Sequence, residues 1–138
     1  AKTSGSKGIQ LYAPLNSGAT YEGSAPFAKA VAQLLERRHP ELILSYQLKT
    51  ARAGKVLIDW SQNAASKTTV SVYSMRARPQ PTVSTPVTWD ELDDALSAGD
   101  PAALSFEWAE VLDRVDRHGD LMADLLTREQ ELPDLRPS

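Results

Sequence analysis

One carboxylate stands at the end of an apolar run in "KVLIDWSQN", Lys55 to Asn63. Val56, Leu57 and Ile58 read as a strand, which places the Asp59 backbone in a sheet. An ionised carboxylate is costly to bury unless it is paired or bound to a cation. Asp59 therefore either holds a metal ion, or pairs with a nearby Arg or Lys, or faces water at the strand end. Arg52, Lys55, Lys67, Arg76 and Arg78 lie on the flanking stretches. They fit a solvated sheet face, and equally a positive surface whose Arg forks suit phosphate. "TSGSKG", Thr3 to Gly8, is a Gly/Ser loop with one Lys that runs into a strand. Its backbone N–H groups and ammonium can cradle phosphate oxygens. The spacing is not that of a Walker A loop, and a strand rather than a helix follows. A flexible terminus or a tag remnant has the same composition.

Other reactive side chains are sparse. His39 and His118 sit at the ends of expected helices, where positive charge is favourable, so a capping role suits both. Trp60, Trp89 and Trp108 read as core or partly buried anchors. No Ser-His-Asp order stands out, which argues against hydrolase chemistry. The absence of cysteine excludes disulfides, thiolate metal sites and a Cys nucleophile, and it fits a cytosolic location. No apolar run is long enough to span a membrane, and "AKTSGSKG" lacks the apolar core of a signal peptide.

With 138 residues the chain is expected to form one domain, residues 1–138. Its net charge of −3 conceals an asymmetry. Residues 49–78 carry six Lys/Arg against Asp59 alone, for +5, while residues 79–138 carry four Arg against fourteen acids, for −10. Anion binding follows the local field, so the middle segment favours a polyanion ligand despite the overall sign.

The elements that must position these groups follow from periodicity and punctuation. "GIQLYAPL" reads as a strand. Thr20 is placed to cap a helix from about Tyr21 to Arg38, with Phe27, Val31, Leu34 and Leu35 on one face and Pro26 in its tolerant early turn. "ELILSYQL" and "KVLIDW" read as a hairpin around "KTARAG", and "KTTVSVYSM" as a third strand. "RARPQPTVSTP" reads as a Pro-rich connector. "TWDEL" is a capping box on Thr88 and Glu91. A further helix through Phe106, Val111, Leu112 and Val115 ends at His118-Gly119, one or two turns follow at Leu121 to Leu126, and "ELPDLRPS" reads as a frayed tail. The order β-α-β-β-β-α-α predicts an α+β fold with a mostly antiparallel sheet and flanking helices.

"TSGSKGIQLYAPL", "GKVLIDWSQN", "KTTVSVYSMRARPQPTVSTPVTWDEL" and "RHGDLMADLL" together resemble the polymerase domain of bacterial ligase D, of the archaeo-eukaryotic primase superfamily. The resemblance runs from Thr3 to about Leu126. It implies half of a primase-polymerase fold and a two-metal nucleotidyltransferase that extends primers at DNA breaks during non-homologous end joining, in the bacterial cytoplasm. Three carboxylates would hold two divalent ions, Mn2+ or Mg2+, that clamp an in-line displacement. By the same resemblance, Asp59 is the third metal-binding carboxylate. Ser4, Lys7 and Gly8 belong to the loop that holds the incoming triphosphate, and Arg52, Gln62 and Arg76 line the nucleotide and catalytic site. Ser6 replaces a His common in the wider superfamily.

In that family an Asp-x-Asp pair precedes the "TSGSKG" loop, and here the chain starts at the loop. No two of its aspartates are separated by a single residue. Glu91-x-Asp93 lies on an expected helix, more naturally a solvated face. One carboxylate rarely holds two divalent ions, so the chain alone is expected not to polymerise. It would be a fragment, a subunit completed by an N-terminal half on another chain, or a nucleotide- or DNA-binding remnant. A sheet face left uncovered would be apolar, which predicts a homodimer or swapped assembly.

Overall fold

The computed structural model describes residues 1–133, whose backbone gathers into two units. The first unit joins Ala1–Pro14 to Val70–Arg128; the second holds Leu15–Thr69 and the segment from Glu129. The elements are β1 (Lys2–Thr3), β2 (Ile9–Gln10), α1 (Tyr21–Arg38), β3 (Ile43–Leu44), β4 (Val56–Leu57), α2 (Trp89–Ala98) and α3 (Trp108–His118). This is a mixed α+β architecture with a small antiparallel sheet and three helices, as expected. The tail residues 134–138 lie outside the described part of the chain.

In the first unit β1 and β2 pair antiparallel, Lys2 opposite Gln10 and Thr3 opposite Ile9, so the Gly/Ser loop is a hairpin turn. The Pro-rich stretch is not a connector. Val83 to Val87 are all buried, and Val83, Val87, Phe106 and Val111 form the core cluster. The backbone of this strip is claimed on several sides. Thr3 N–H donates to Thr85 O at 2.8 Å, Val87 N–H to Ala1 O at 3.1 Å, and Val83 N–H to Phe106 O at 2.9 Å. "KTTVSVYSM" forms no regular strand; Met75 and Val83 share an isolated antiparallel bridge. Tyr73 takes a left-handed backbone, φ 63°, which a strand cannot accommodate.

The capping box is as expected. Thr88 Oγ1 accepts from Glu91 N–H at 3.2 Å, and Glu91 Oε2 accepts from Thr88 N–H at 2.8 Å. Gly99, at φ 64°, closes α2 in the left-handed conformation that glycine adopts without strain. A second box on Glu107 and Glu110 starts α3, and Gly119 follows His118 at its end. Leu125 and Leu126 lie in a short 3-10 turn, Ala123–Leu126. Trp89 and Trp108 are not core anchors: each opens its helix and is 66% and 57% exposed respectively.

In the second unit α1 spans the expected residues, with His39 at its C-terminal cap. Thr20 holds the N-cap position without a side-chain cap bond, and Pro26 lies one turn deeper than the tolerant first turn. α1 buries Ala32 and packs on β3 and the Trp60–Gln62 3-10 turn. β3 and β4 do not form a hairpin. They pair parallel, Ile43 opposite Val56 and Leu44 opposite Leu57. A parallel return needs a long crossover, and Ser45 to Lys55, with its 3-10 turn at Lys49–Ala51, supplies one. Among the described residues no helix is long and apolar enough to cross a membrane.

Glu91 also pairs with the buried Arg114 of α3, through both carboxylate oxygens. The Arg114 hydrogen bond draws the Glu91 carboxyl down to about 2, against the upward push of burial and with help from Thr88. Its stabilising contribution is full above the ordinary value of 4.5 and is lost as the pH falls toward 2. Glu91→Ala removes a cap partner and leaves the Arg114 guanidinium unpaired. It should cost about 2–4 kcal/mol in urea unfolding at pH 7. Glu91→Gln should flatten the acid limb of the stability curve between those two pH values.

Candidate functional site

β4 delivers Asp59 to a ring of neutral donors. Ile58 N–H donates to Leu44 O at 2.9 Å, which fixes the backbone one residue before the acid. Asp59 then opens the Trp60–Gln62 turn. Its Oδ1 accepts from Gln47 Nε2 at 3.0 Å and Ser61 Oγ at 2.5 Å, and its Oδ2 accepts from Gln62 Nε2 at 3.0 Å. Arg52 does not reach the carboxylate. It donates to Gln47 Oε1 at 2.5 Å and Gln47 O at 3.3 Å, while its Nε, shielded from water, has no partner. Burial pushes the Asp59 carboxyl up, but the bonds from Ser61, Gln62 and Gln47 outweigh it and hold the carboxyl below its ordinary range. The group is half-buried, ionised and fixed in direction.

The same turn anchors itself to the unit. Trp60 Nε1 donates to Ser45 O at 2.8 Å, and the Lys29 ammonium lies 5.1 Å from the Trp60 ring centroid. Lys55 reaches Pro40 O at 2.5 Å, so it ties the chain rather than facing the acid.

The loop of the first unit is closed by its own bonds. Ser4 N–H donates to Gly8 O at 2.8 Å, and Gly8 N–H to Ser4 Oγ at 3.2 Å. Ser6, Lys7 and Gly8 are exposed. Arg78 donates to Ser6 Oγ at 2.5 Å, and Arg76 is half-buried beside Gly5. The basic side chains are thus shared out: Arg76 and Arg78 accompany the loop, while Arg52, Lys55 and Lys67 belong to the unit of Asp59. Each unit brings its own sequence-predicted residues together: Ser4, Lys7, Gly8 and Arg76 in one, Arg52, Asp59 and Gln62 in the other. Sequence reasoning missed Gln47 and Ser61, the two donors to Oδ1. Ser61 was visible beside the acid. Gln47 lies twelve residues upstream and becomes a neighbour only through the parallel pairing.

The family model for the LigD primase-polymerase domain matches residues 1–122. The chain belongs to the LigD primase-polymerase family. Its relatives include the multifunctional non-homologous end joining DNA repair protein LigD of Mycobacterium tuberculosis, 47% identical over 96% of this chain and 18% of that protein. The LigD of Mycolicibacterium smegmatis is 48% identical over 89% of this chain and 15% of its own length. A solved structure of the polymerase domain from Mycobacterium tuberculosis ligase D in complex with DNA superposes with a TM-score of 0.82 at 49% identity. It covers 90% of this chain and 41% of that one. The chain therefore spans less than a fifth of these curated relatives and under half of the solved LigD polymerase domain.

Polymerase and primase domains of the LigD kind usually work with divalent metal ions. The ionised, oriented Asp59 carboxylate is a suitable ligand for one. Among the described residues, however, no group of three or more His, Cys, Asp or Glu side chains could hold a metal ion. Glu91 is not available to make up the set, since its carboxylate is spent on Arg114 and Thr88. The described residues do not by themselves form a two-metal site. Gln47→Leu removes a donor to Asp59 and the side-chain acceptor of Arg52, leaving the Gln47 backbone oxygen. Carboxyl-detected NMR should show Asp59 titrating at higher pH in that variant; an unchanged midpoint would mean that Gln47 does not hold the acid.

Proposed function

We propose that this chain serves DNA-break repair by non-homologous end joining, as part of a primer-extending nucleotidyltransferase. The observation that carries the reading is the Asp59 carboxylate, kept ionised and aimed by Gln47, Ser61 and Gln62, in a member of the LigD primase-polymerase family. Asp59 is the carboxylate the chain offers to Mn2+ or Mg2+. In the first unit Ser4, Lys7 and Gly8 serve to hold the triphosphate of an incoming NTP or dNTP, with Arg76 beside their loop, and in the second Arg52 and Gln62 serve as nucleotide-binding residues near Asp59. DNA ends are the partner, supported by the relative solved in complex with DNA. The work takes place in the bacterial cytoplasm.

Residues 1–138 act as the C-terminal portion of a ligase D-type polymerase domain and do not polymerise alone. The rest of the polymerase domain completes them, and exposed apolar side chains such as Ile9, Leu11 and Tyr12 offer a face for it or for a second copy. The absence of a metal-holding acidic cluster among the described residues favours a second reading, a nucleotide- or DNA-binding subunit without catalysis.

Primer extension separates the two. The assay uses a gapped duplex, Mn2+ and NTPs, with the chain alone and then with the N-terminal half of a related polymerase. Extension is expected only in the mixture. Asp59→Ala should reduce it on the order of a thousandfold, since a metal's transition-state stabilisation is worth several kcal/mol. Undiminished extension by Asp59→Ala would remove the acid from the mechanism. Silence in the mixture, with DNA still bound, would leave the binding subunit.

A further inference from the structure

Gly5 is the residue of the loop with no room for a side chain. Its φ is +62°, and a Cβ there would stand 2.8 Å from Arg76 Cγ and 3.0 Å from both Ser84 N and Val83 C. The backbone atoms cannot give way, because Val83 and Ser84 are buried and bonded, Ser84 N–H to Ser74 O at 2.9 Å and Val83 N–H to Phe106 O at 2.9 Å. The contact that must move is Arg76 Cγ, near the root of the side chain, so its displacement would swing the guanidinium at the far end. Two further bonds lock the same pieces. Thr82 Oγ1 donates to Gly5 O at 2.7 Å, and Arg76 N–H donates to Thr82 O at 2.8 Å. Gly5, Thr82 and Arg76 thus close a small circuit between the loop and the segment that carries Arg76.

We infer that Gly5 is a positioning residue: its missing side chain lets the Arg76 stem lie across the loop, and Thr82 clamps the two in register. This rests on the reading of Ser4, Lys7, Gly8 and Arg76 as triphosphate-holding residues. Gly5 itself touches no substrate in this scheme; it sets where Arg76 points.

A double-mutant cycle on the full chain tests it, with ATP as the probe and calorimetry as the readout. Gly5→Ala should weaken ATP binding by about tenfold or more, and by less than about twofold when Arg76→Ala is already present, the non-additivity of residues in contact. Thr82→Val keeps the side-chain shape, removes only the bond to Gly5 O, and should weaken binding about threefold. It also carries the test if Gly5→Ala does not fold. Equal losses from Gly5→Ala in both backgrounds, or full affinity in Gly5→Ala and Thr82→Val, would overturn the inference. If the wild-type chain binds no ATP, the triphosphate reading falls, and the contact is judged from thermal unfolding. A Tm drop from Gly5→Ala that shrinks in the Arg76→Ala background keeps the Gly5–Arg76 contact, and strictly additive drops remove it.

Discussion

A buried ammonium must find acceptors for all three of its protons, and Lys2 finds them on three separate segments. Only 1% of Lys2 is exposed, and its Nζ donates to Gln10 Oε1 at 2.5 Å, Val70 O at 2.9 Å and Ser84 Oγ at 2.6 Å. The Tyr12 ring, 5.6 Å away, adds a cation–π contact. Burial pushes the ammonium's pKa down, and Arg76 adds to that push. The cost is tolerable only while all three acceptors stay in place. One charge therefore holds β1, β2, the start of the 70–78 segment and the buried strip to a common point. Ser84 passes the constraint on, since its hydroxyl donates to Thr3 O at 2.8 Å.

Arg114 applies the same logic further along the strip. Its guanidinium stacks 4.5 Å from the Phe106 ring centroid, donates to Pro86 O at 2.9 Å and pairs with Glu91. Lys2 and Arg114 thus fasten to Ser84 and Pro86, and the apolar cluster of Val83, Val87, Phe106 and Val111 fills in around them. A strip of small polar residues and prolines becomes core because its polar groups are satisfied from outside. Thr3 Oγ1 accepts from Thr85 N–H at 3.1 Å, and Thr85 Oγ1 donates to Val83 O at 3.0 Å. The loop glycine Gly5 rests directly against this strip, with the Arg76 stem beside it.

That dependence on distant partners explains what could be read from the sequence. Features decided within one or two turns were legible: both ends of α1, the Thr88–Glu91 box and the glycine after His118. The Pro-rich stretch was not, because no local pattern announces that Ser84 and Thr85 will be bonded by residues eighty positions away. The parallel pairing of β3 and β4 was hidden for a related reason, since an eleven-residue connection permits a loose hairpin or a crossover and no local pattern chooses between them. Trp89 and Trp108 misled because size and apolarity say nothing about which side of a helix faces the core. Around Asp59, the bond from Gln62 joins residues three apart and is local enough to anticipate. The bonds of Gln47 to Asp59 and of Thr82 to Gly5 are not, since each joins residues that only the fold brings together.

Two acids held by several hydrogen bonds, Glu91 and Asp59, show how environment assigns a role. Glu91 has its charge balanced in place: Arg114 takes both oxygens, and the Thr88 backbone takes one of them again. It is a structural acid with little left to offer. Asp59 is treated in the opposite way. Its three side-chain donors are two amides and a hydroxyl, none of which carries charge. They fix the carboxylate and favour its ionised form, yet they leave its negative charge uncompensated. Two of them share Oδ1, the third reaches Oδ2, and the Ser61 backbone N–H adds a further bond to the carboxylate. The Arg52 guanidinium spends its hydrogen bonds on Gln47 instead of the acid. The fold thus uses these two carboxylates in opposite ways: Glu91 is neutralised where it stands, and Asp59 is oriented by hydrogen bonds from uncharged groups alone.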